Sequence, residues 1–329
     1  MRRGFWLTLL LIAGCATPSQ PVETRSLERV RAVVIGDQGE GNQTQRQVAQ
    51  AMAEVCGQRG CDLVLALGDN IYPSGVDSPQ DPQFQSKFEQ VYDFPELEVP
   101  FYLVLGNHDD GAGGAGFQPA RGWHQVAYSA REDRPSQRWH MPSRYYQIEQ
   151  GIVDFFALDT NPLMFYGVIG PDQERADPRA DPFGRAQLEW LEEGLAQSEA
   201  QWKVAFGHHP YISPGQHGDA GRYEGIPGLG NQIKRFLEEG VCGEVDLYLA
   251  GHDHNLAWYP PQESCPTDLI VSGAAATPRP LERAGRHPHY LEVGDTAGFF
   301  HLDFGSHDLV VTVYNQEAEV IFQNTLSKP

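Results

Sequence analysis

Positive charge is what this sequence has least of: 24 lysines and arginines stand against 44 aspartates and glutamates, a formal charge of −20 over 329 residues. A field of that sign repels a polyphosphate backbone, which makes nucleic acid a poor candidate for the main substrate. A site that handles phosphate must then bring its own local positive charge, and bound metals supply it. Long apolar runs are scarce too: the one at the start, Phe5 to Ala13, is too short to span a bilayer. Cysteine is sparse, five in all, and none has zinc-ribbon spacing. No internal repeat and no evident linker divides the chain. With 40% hydrophobic residues there is ample material for the core of an ordinary globular protein.

Residues 1–15 read as a targeting segment rather than as part of the fold. Arg2 and Arg3 precede the apolar run, and Ile12-Ala13-Gly14-Cys15 resembles the bacterial lipobox, in which Cys15 is the lipidated residue. Ala16 in the next position resembles lipoproteins sent on to the outer membrane; an ordinary secretory signal cut near Ala16 is the alternative. Residues 16–30 are polar and read as a flexible tether, and residues 31–329 as the catalytic domain. The expected location is outside the cytoplasm, on the periplasmic side or at the outer membrane, held there by the lipid. Four cysteines remain after Cys15, an even number that suggests two disulfides in an exported chain. Of the three possible pairings we favour the local one, Cys56 with Cys61 and Cys242 with Cys265, because Cys242 and Cys265 each precede a strand.

What the chain does have is one design used five times. An apolar run reads as a buried strand, a glycine closes it, and an oxygen or nitrogen ligand follows. Val33-Val34-Ile35-Gly36 delivers Asp37, and the run from Leu63 through Gly68 delivers Asp69 and, beyond it, Tyr72. Tyr102 to Gly106 delivers Asn107 and His108; Val204 to Gly207 delivers His208; Leu247 to Gly251 delivers His252 and His254. In open α/β sheets ligands bind at the carboxyl ends of strands, which is where these side chains fall. Singly, each motif has a plainer explanation: Gly-Asp after a strand is commonly a turn, a lone asparagine a cap, a lone tyrosine or histidine a packing residue. The ordered set reads instead as a two-metal site. A carboxylate such as Asp69 can bridge two cations, hard ions prefer oxygen, and borderline divalent ions accept imidazole and amide oxygen.

The periodicity predicts a helix over Gln43–Gln58, a short one over Phe84–Tyr92, one around Leu188, Leu191 and Leu195, and one over Ile226–Glu239. Tyr145–Glu149 and Ile152–Leu158 read as a hairpin; strands follow near Leu269–Val271, Gly298–Asp303, Leu309–Tyr314 and Val320–Gln323. Pro162–Pro182 lacks periodicity and reads as a surface excursion.

The motifs Asp37-x-Gly39, Gly68-Asp69-x-x-Tyr72, Gly106-Asn107-His108-Asp109, Gly207-His208-x-Pro210 and Gly251-His252-x-His254 resemble, in this order, those of the calcineurin-like metallophosphoesterases. Tyr72 narrows the resemblance to the purple acid phosphatases, and the small mammalian tartrate-resistant type is the most similar. The resemblance covers nearly the whole chain after Arg31. It implies an α/β, four-layer sandwich of two mixed β-sheets flanked by helices, with the ligands on one edge. It also implies an acid phosphatase that hydrolyses small phosphomonoesters by a metal-bound hydroxide; the leader makes it exported, and a monomeric catalytic domain is expected. Iron(III) would be held by Asp37, Asp69, Tyr72 and His254, and a divalent iron, zinc or manganese ion by Asp69, Asn107, His208 and His252. His108 and His217 match histidines that contact substrate and protonate the leaving group. Imidazole ordinarily titrates near about pH 6.5, consistent with an acidic optimum.

Gln38 departs from the family, standing where mammalian members usually carry an aromatic. His209 directly follows His208, which leaves the assignment of that ligand open to a shift of one residue. The excursion falls where the mammalian type has a regulatory, protease-sensitive loop of different sequence. A phosphodiesterase, or a nucleotide or phospholipid hydrolase of the wider superfamily, is the competing reading, against which Tyr72 argues. A lipid-anchored binding protein with a vestigial site is a third, against which the complete set of seven ligands argues.

Overall fold

The strands that the sequence marks as continuous apolar runs are those a parallel sheet buries on both faces. In the computed structural model, which describes residues 28–114, 116–165 and 182–328, they form the centres of two sheets. The chain enters with β1 (Val30–Ile35), crosses through α1 (Gln43–Arg59) to β2 (Leu63–Ala66), and continues to β3 (Phe101–Leu103). A helix that periodicity did not signal, α2 (Pro119–Ser129), precedes β4 (Trp139–His140). The second sheet opens with the expected hairpin, β5 (Tyr146–Gln150) and β6 (Val153–Ala157), paired antiparallel. Next come α3 (Asn161–Phe165), α4 (Pro182–Gln197), β7 (Trp202–Phe206), α5 (Asn231–Gly240), β8 (Leu247–Ala250), β9 (Leu256–Tyr259), β10 (Asp268–Ser272) and β11 (Leu291–Val293). The chain then returns to the first sheet as the meander β12 (Gly298–Phe304), β13 (Asp308–Asn315) and β14 (Val320–Ser327).

Each sheet has seven strands and each is mixed: β14-β13-β12-β1-β2-β3-β4 and β11-β9-β10-β8-β7-β6-β5. β1 through β4 run parallel, as do β6, β7, β8 and β10. Alternation along the second sheet divides the core. Phe155, Val204, Phe206, Leu247, Leu249 and Ile270 face the first sheet, while their neighbours Phe156, Ala205, Tyr248, Leu269 and Val271 pack under α4 and α5. Leu188, Leu191 and Leu195 of α4 and Ile233, Phe236 and Leu237 of α5 complete that second layer. The fold class expected from the sequence is the one observed.

Several boundaries differ, each for a local reason. α5 starts at Asn231, not at Ile226, because Gly228 and Gly230 turn the chain through positive φ (89° and 79°) just before it. Between Phe84 and Tyr92 the helical segment is a single π-helical stretch, Gln85–Glu89. The start of the expected excursion, residues 162–165, lies in α3; residues 166–181, like 1–27 with Cys15 and most of the tether, lie outside the described residues. Cys56 is bonded to Cys61 and Cys242 to Cys265, so the local pairing holds. No helix among the described residues is long and apolar enough to cross a membrane.

Candidate metal centre

Register decides where the ligands meet. Ile35 pairs with Ala66 and Ala66 with Leu103, so three parallel strands of the first sheet end together. In the second sheet Phe206 pairs with Leu249 and Ala250 with Val271, which levels the ends of β7, β8 and β10. The two edges abut: the Ser272 hydroxyl donates to the Val34 carbonyl at 2.9 Å, and the His252 amide donates to Asp37 Oδ2 at 2.8 Å. Asp37, Asp69 and His252 all adopt left-handed backbone, φ 56°, 55° and 69°. For residues with a Cβ this costs about 1–3 kcal/mol each, and such strain concentrates at sites where surrounding structure over-determines it. Gly106 is required nearby, since a Cβ there would collide with the backbone and carboxylate of Asp69.

Two groups of donor atoms result, sharing one carboxylate. The Tyr72 hydroxyl lies 3.1 Å from Asp37 Oδ1, 2.9 Å from Asp69 Oδ2 and 3.1 Å from His254 Nε2. His254 Nε2 is itself 3.5 Å from Asp37 Oδ1. In the second group, Asn107 Oδ1 lies 2.9 Å from His208 Nε2 and 3.0 Å from His252 Nδ1, and those two nitrogens are 3.2 Å apart. Asp69 Oδ2 is 3.6 Å from His208 Nε2, so the oxygen that meets Tyr72 also reaches the second group.

Proton counting tests whether these residues suit cations. His208 Nδ1 lies 2.9 Å from the Leu67 carbonyl and His254 Nδ1 lies 2.7 Å from the Thr277 carbonyl. A carbonyl only accepts, so both Nδ1 atoms carry the proton and both Nε2 atoms present bare lone pairs. His208 Nε2 therefore faces the Asn107 oxygen acceptor to acceptor. In the first group a single phenolic proton is offered to two carboxylates and one imidazole lone pair. Lone pairs brought this close without protons between them are what a cation satisfies, and the donor set fits one oxygen-rich and one nitrogen-rich ion.

Burial raises Asp37 well above the ordinary carboxylate range, and the neighbouring Asp69 adds to it. Burial pushes Asp69 the same way, but His208 and His108 outweigh it and hold that carboxyl low. Burial, then Asp37 and Asp69, keep the Tyr72 phenol protonated in the protein alone. Burial lowers His208 and lowers His252 further, favouring the neutral ligand form. His254 is pushed down to about 4, first by burial and next by the charge of Arg279.

Of the two adjacent histidines, His208 is the one whose ring nitrogen faces Asn107 and Asp69. Nitrogens of His208, His209 and His252 lie within 4.8 Å of one another; His209 Nδ1 is engaged by the Thr160 hydroxyl at 2.8 Å, and its buried Nε2 has no hydrogen-bond partner. His108 sits beside the first group, its amide donating to Asp69 Oδ1 at 2.9 Å and its ring 4.5 Å from that of Tyr72. His217 sits beside the second, stacked on His252 with ring centroids 4.2 Å apart. Gln38 reaches away from the donors, its amide donating to Asn70 Oδ1 at 2.8 Å.

Sequence reasoning missed three supports. Asp253 accepts from the amides of His217 (2.9 Å) and Gly218 (3.0 Å) and so holds that loop over the site. Glu224 pairs with His217 Nδ1. Asp109 accepts from the amides of Asn70 (3.0 Å), Ile71 (3.1 Å) and Gly106 (2.8 Å), locking the Asp69 turn to the Asn107 turn. Asp109 and Asp253 lie inside motifs already marked, a signal that could have found them; Glu224 carries none.

The calcineurin-like phosphoesterase family profile matches residues 30–256. The chain is 31% identical over 307 residues to purple acid phosphatase 17 of Arabidopsis thaliana, covering 91% of this chain and 85% of that protein. It is 30% identical over 343 residues to tartrate-resistant acid phosphatase type 5 of Homo sapiens, covering 98% of each. Among solved structures it is similar in fold to a purple acid phosphatase from yellow lupin seeds, with TM-score 0.62 and 18% identity over 91% of this chain and 54% of that one.

Proposed function

The chain belongs to the calcineurin-like phosphoesterase family and within it to the purple acid phosphatases, so it is a phosphatase; we propose from that premise that it hydrolyses small phosphomonoesters at a dinuclear centre. One iron(III) would be held by Asp37, Asp69, Tyr72 and His254, and one divalent iron, zinc or manganese ion by Asp69, Asn107, His208 and His252. The observation that carries this reading is the position of Asp69, whose Oδ2 faces Tyr72 at 2.9 Å and His208 at 3.6 Å. When bound, the ions supply Lewis-acid polarisation of the ester phosphate and an activated water.

The chain's own residues do the rest. Leu67 and Thr277 carbonyls fix the tautomers of His208 and His254, so their lone pairs point inward without reorganisation. His108 and His217 flank the two donor groups with partly exposed rings, placed to hold the phosphate and to hand a proton to the departing alkoxide. Glu224 engages Nδ1 of His217 and the Gln216 side-chain amide meets its Nε2 at 3.0 Å, which fixes the ring in its stack on His252.

The decisive experiment sets the visible spectrum of the purified protein beside its metal content and its turnover of a chromogenic phosphate ester. A phenolate on iron(III) absorbs in the visible, so the wild type is expected to be purple or pink. Tyr72→Phe removes only the hydroxyl and is expected to lose the band while staying folded. Colourless wild type with stoichiometric iron(III) defeats the tyrosinate assignment. Colourless, iron-free protein active with two divalent ions favours the wider metallophosphoesterases.

We further propose that the enzyme is exported and anchored through Cys15, on the strength of the segment Ile12-Ala13-Gly14-Cys15. Cys15→Ser should release soluble, still active enzyme; continued membrane association of that variant rules the anchor out.

A further inference from the structure

Residues 279–289 hold three arginines and two histidines against one glutamate, in a chain whose formal charge is −20. This stretch lies along the site. The Arg279 amide donates to the carbonyl of His254 at 2.8 Å, two residues after Thr277, whose carbonyl orients the His254 ring. Four residues on, the Arg283 amide donates to the Pro214 carbonyl at 2.8 Å and its guanidinium grips the carbonyls of Gly215 and Gln216, immediately before His217. His287 then bonds to Asp219 at 3.1 Å, on the far side of His217. The basic stretch is thereby stitched from His254 to His217, across the mouth of the donor cluster.

The arginines are not equivalent. Arg283 is consumed by the backbone it holds. Arg279 is half-buried, its charge acts on His254, and among the described residues its guanidinium makes no hydrogen bond or ion pair. Glu282 is exposed, and the next carboxylate, Glu292, is engaged by the Tyr259 hydroxyl (2.9 Å) and the Gly285 amide (2.7 Å). A planar five-donor fork left free beside a phosphate-ester site matches the geometry of a phosphate or carboxylate.

Resting on the hydrolase reading above, we infer that Arg279 forms a second anion subsite, and that the preferred substrates carry a second phosphate a few bonds from the ester being cleaved. The class is bisphosphorylated small molecules. The metals take the scissile phosphate, Arg279 takes the other, and the protein's general negative field disfavours such a substrate everywhere except on this rim.

The test uses the enzyme as purified with its metals and a matched pair, propane-1,3-diol monophosphate and bisphosphate, with a chromogenic monoester as reference. Two equivalent esters alone make the bisphosphate about twofold better; a charge-assisted guanidinium–phosphate contact is expected to raise the kcat/KM ratio to about tenfold or more, chiefly through KM. Arg279→Met should bring the ratio back toward about two, and added salt should erode the wild-type preference because the rim is open to solvent. A wild-type ratio near two, or a ratio unchanged in Arg279→Met, overturns the subsite while leaving the phosphatase intact. No turnover of the chromogenic ester by the metal-loaded wild type overturns the hydrolase reading, and the subsite with it.

Discussion

His108 packs on Tyr72 and His217 on His252, so each of the two donor groups has one imidazole at its solvent side. Their exposure, 26% and 19% of the side chain, separates them from the fully buried His208, and a partly wet ring can exchange protons with solvent. His108→Ala and His217→Ala together are expected to lower kcat by on the order of a hundredfold, the lower range for losing acid–base assistance, with metal content unchanged. The alkaline side of the pH profile should move as well, because a proton donor is lost as pH rises through its pKa. Glu224→Gln retains a hydrogen-bonding partner for His217 and is expected to cost less than His217→Ala. Full activity of the double histidine variant with an unmoved profile removes both residues from the chemistry.

Two loops carry much of the site, and beside the backbone contacts of Arg283 an ion pair ties them. His287 on the 277–290 segment bonds to Asp219 on the loop that carries His217. The Asp219 carboxylate raises the His287 imidazole above its ordinary value; on Asp219, burial is outweighed by the contact with His287, which holds the carboxyl below its own. The signs follow by linkage. The His287 contribution is full below the ordinary imidazole value, about 6.5, and fades as pH rises through its raised folded value. The Asp219 contribution is full above about 3.9 and fades as pH falls through its depressed value. The tie is therefore strongest between about pH 4 and 6.5, the range in which an acid phosphatase works. Thermal melts of wild type and His287→Ala should differ most near pH 5 and converge by pH 8; an equal difference at both values dissociates the tie from protonation. At this scale the sequence pattern read well wherever a helix or strand ran long, as in α1 and β13. It failed at α2, whose buried face is only Gly122, Gln125 and Tyr128 and so leaves almost no apolar stripe.

Across the whole molecule, the two sheets are joined beside the site by a buried charge network. Arg144, 4% exposed, binds Asp110 from the end of the first sheet and Asp159 from the end of the second, and Asn161 links Asp110 to the Gly106 carbonyl at 2.7 Å. Removing one partner of such a network leaves carboxylates buried and unpaired. Arg144→Met is expected to cost about 3–5 kcal/mol in denaturant unfolding, against near-neutrality for an exposed arginine such as Arg29. Loss of less than about 1 kcal/mol shows that the network is not what holds the edges together. Sequence alone named the seven candidate donors and located the strands that present them and the two disulfides, because each rests on neighbours: an apolar run, a closing glycine, a candidate ligand next to it, a cysteine close by. Tertiary structure decided that Asp69 serves both donor groups, that His208 and not His209 faces inward, and that Glu224 and Arg279 border the site. Those facts depend on register and on pairings as distant as Asp37 with His252, 215 positions apart, and such contacts leave no periodic trace along the chain.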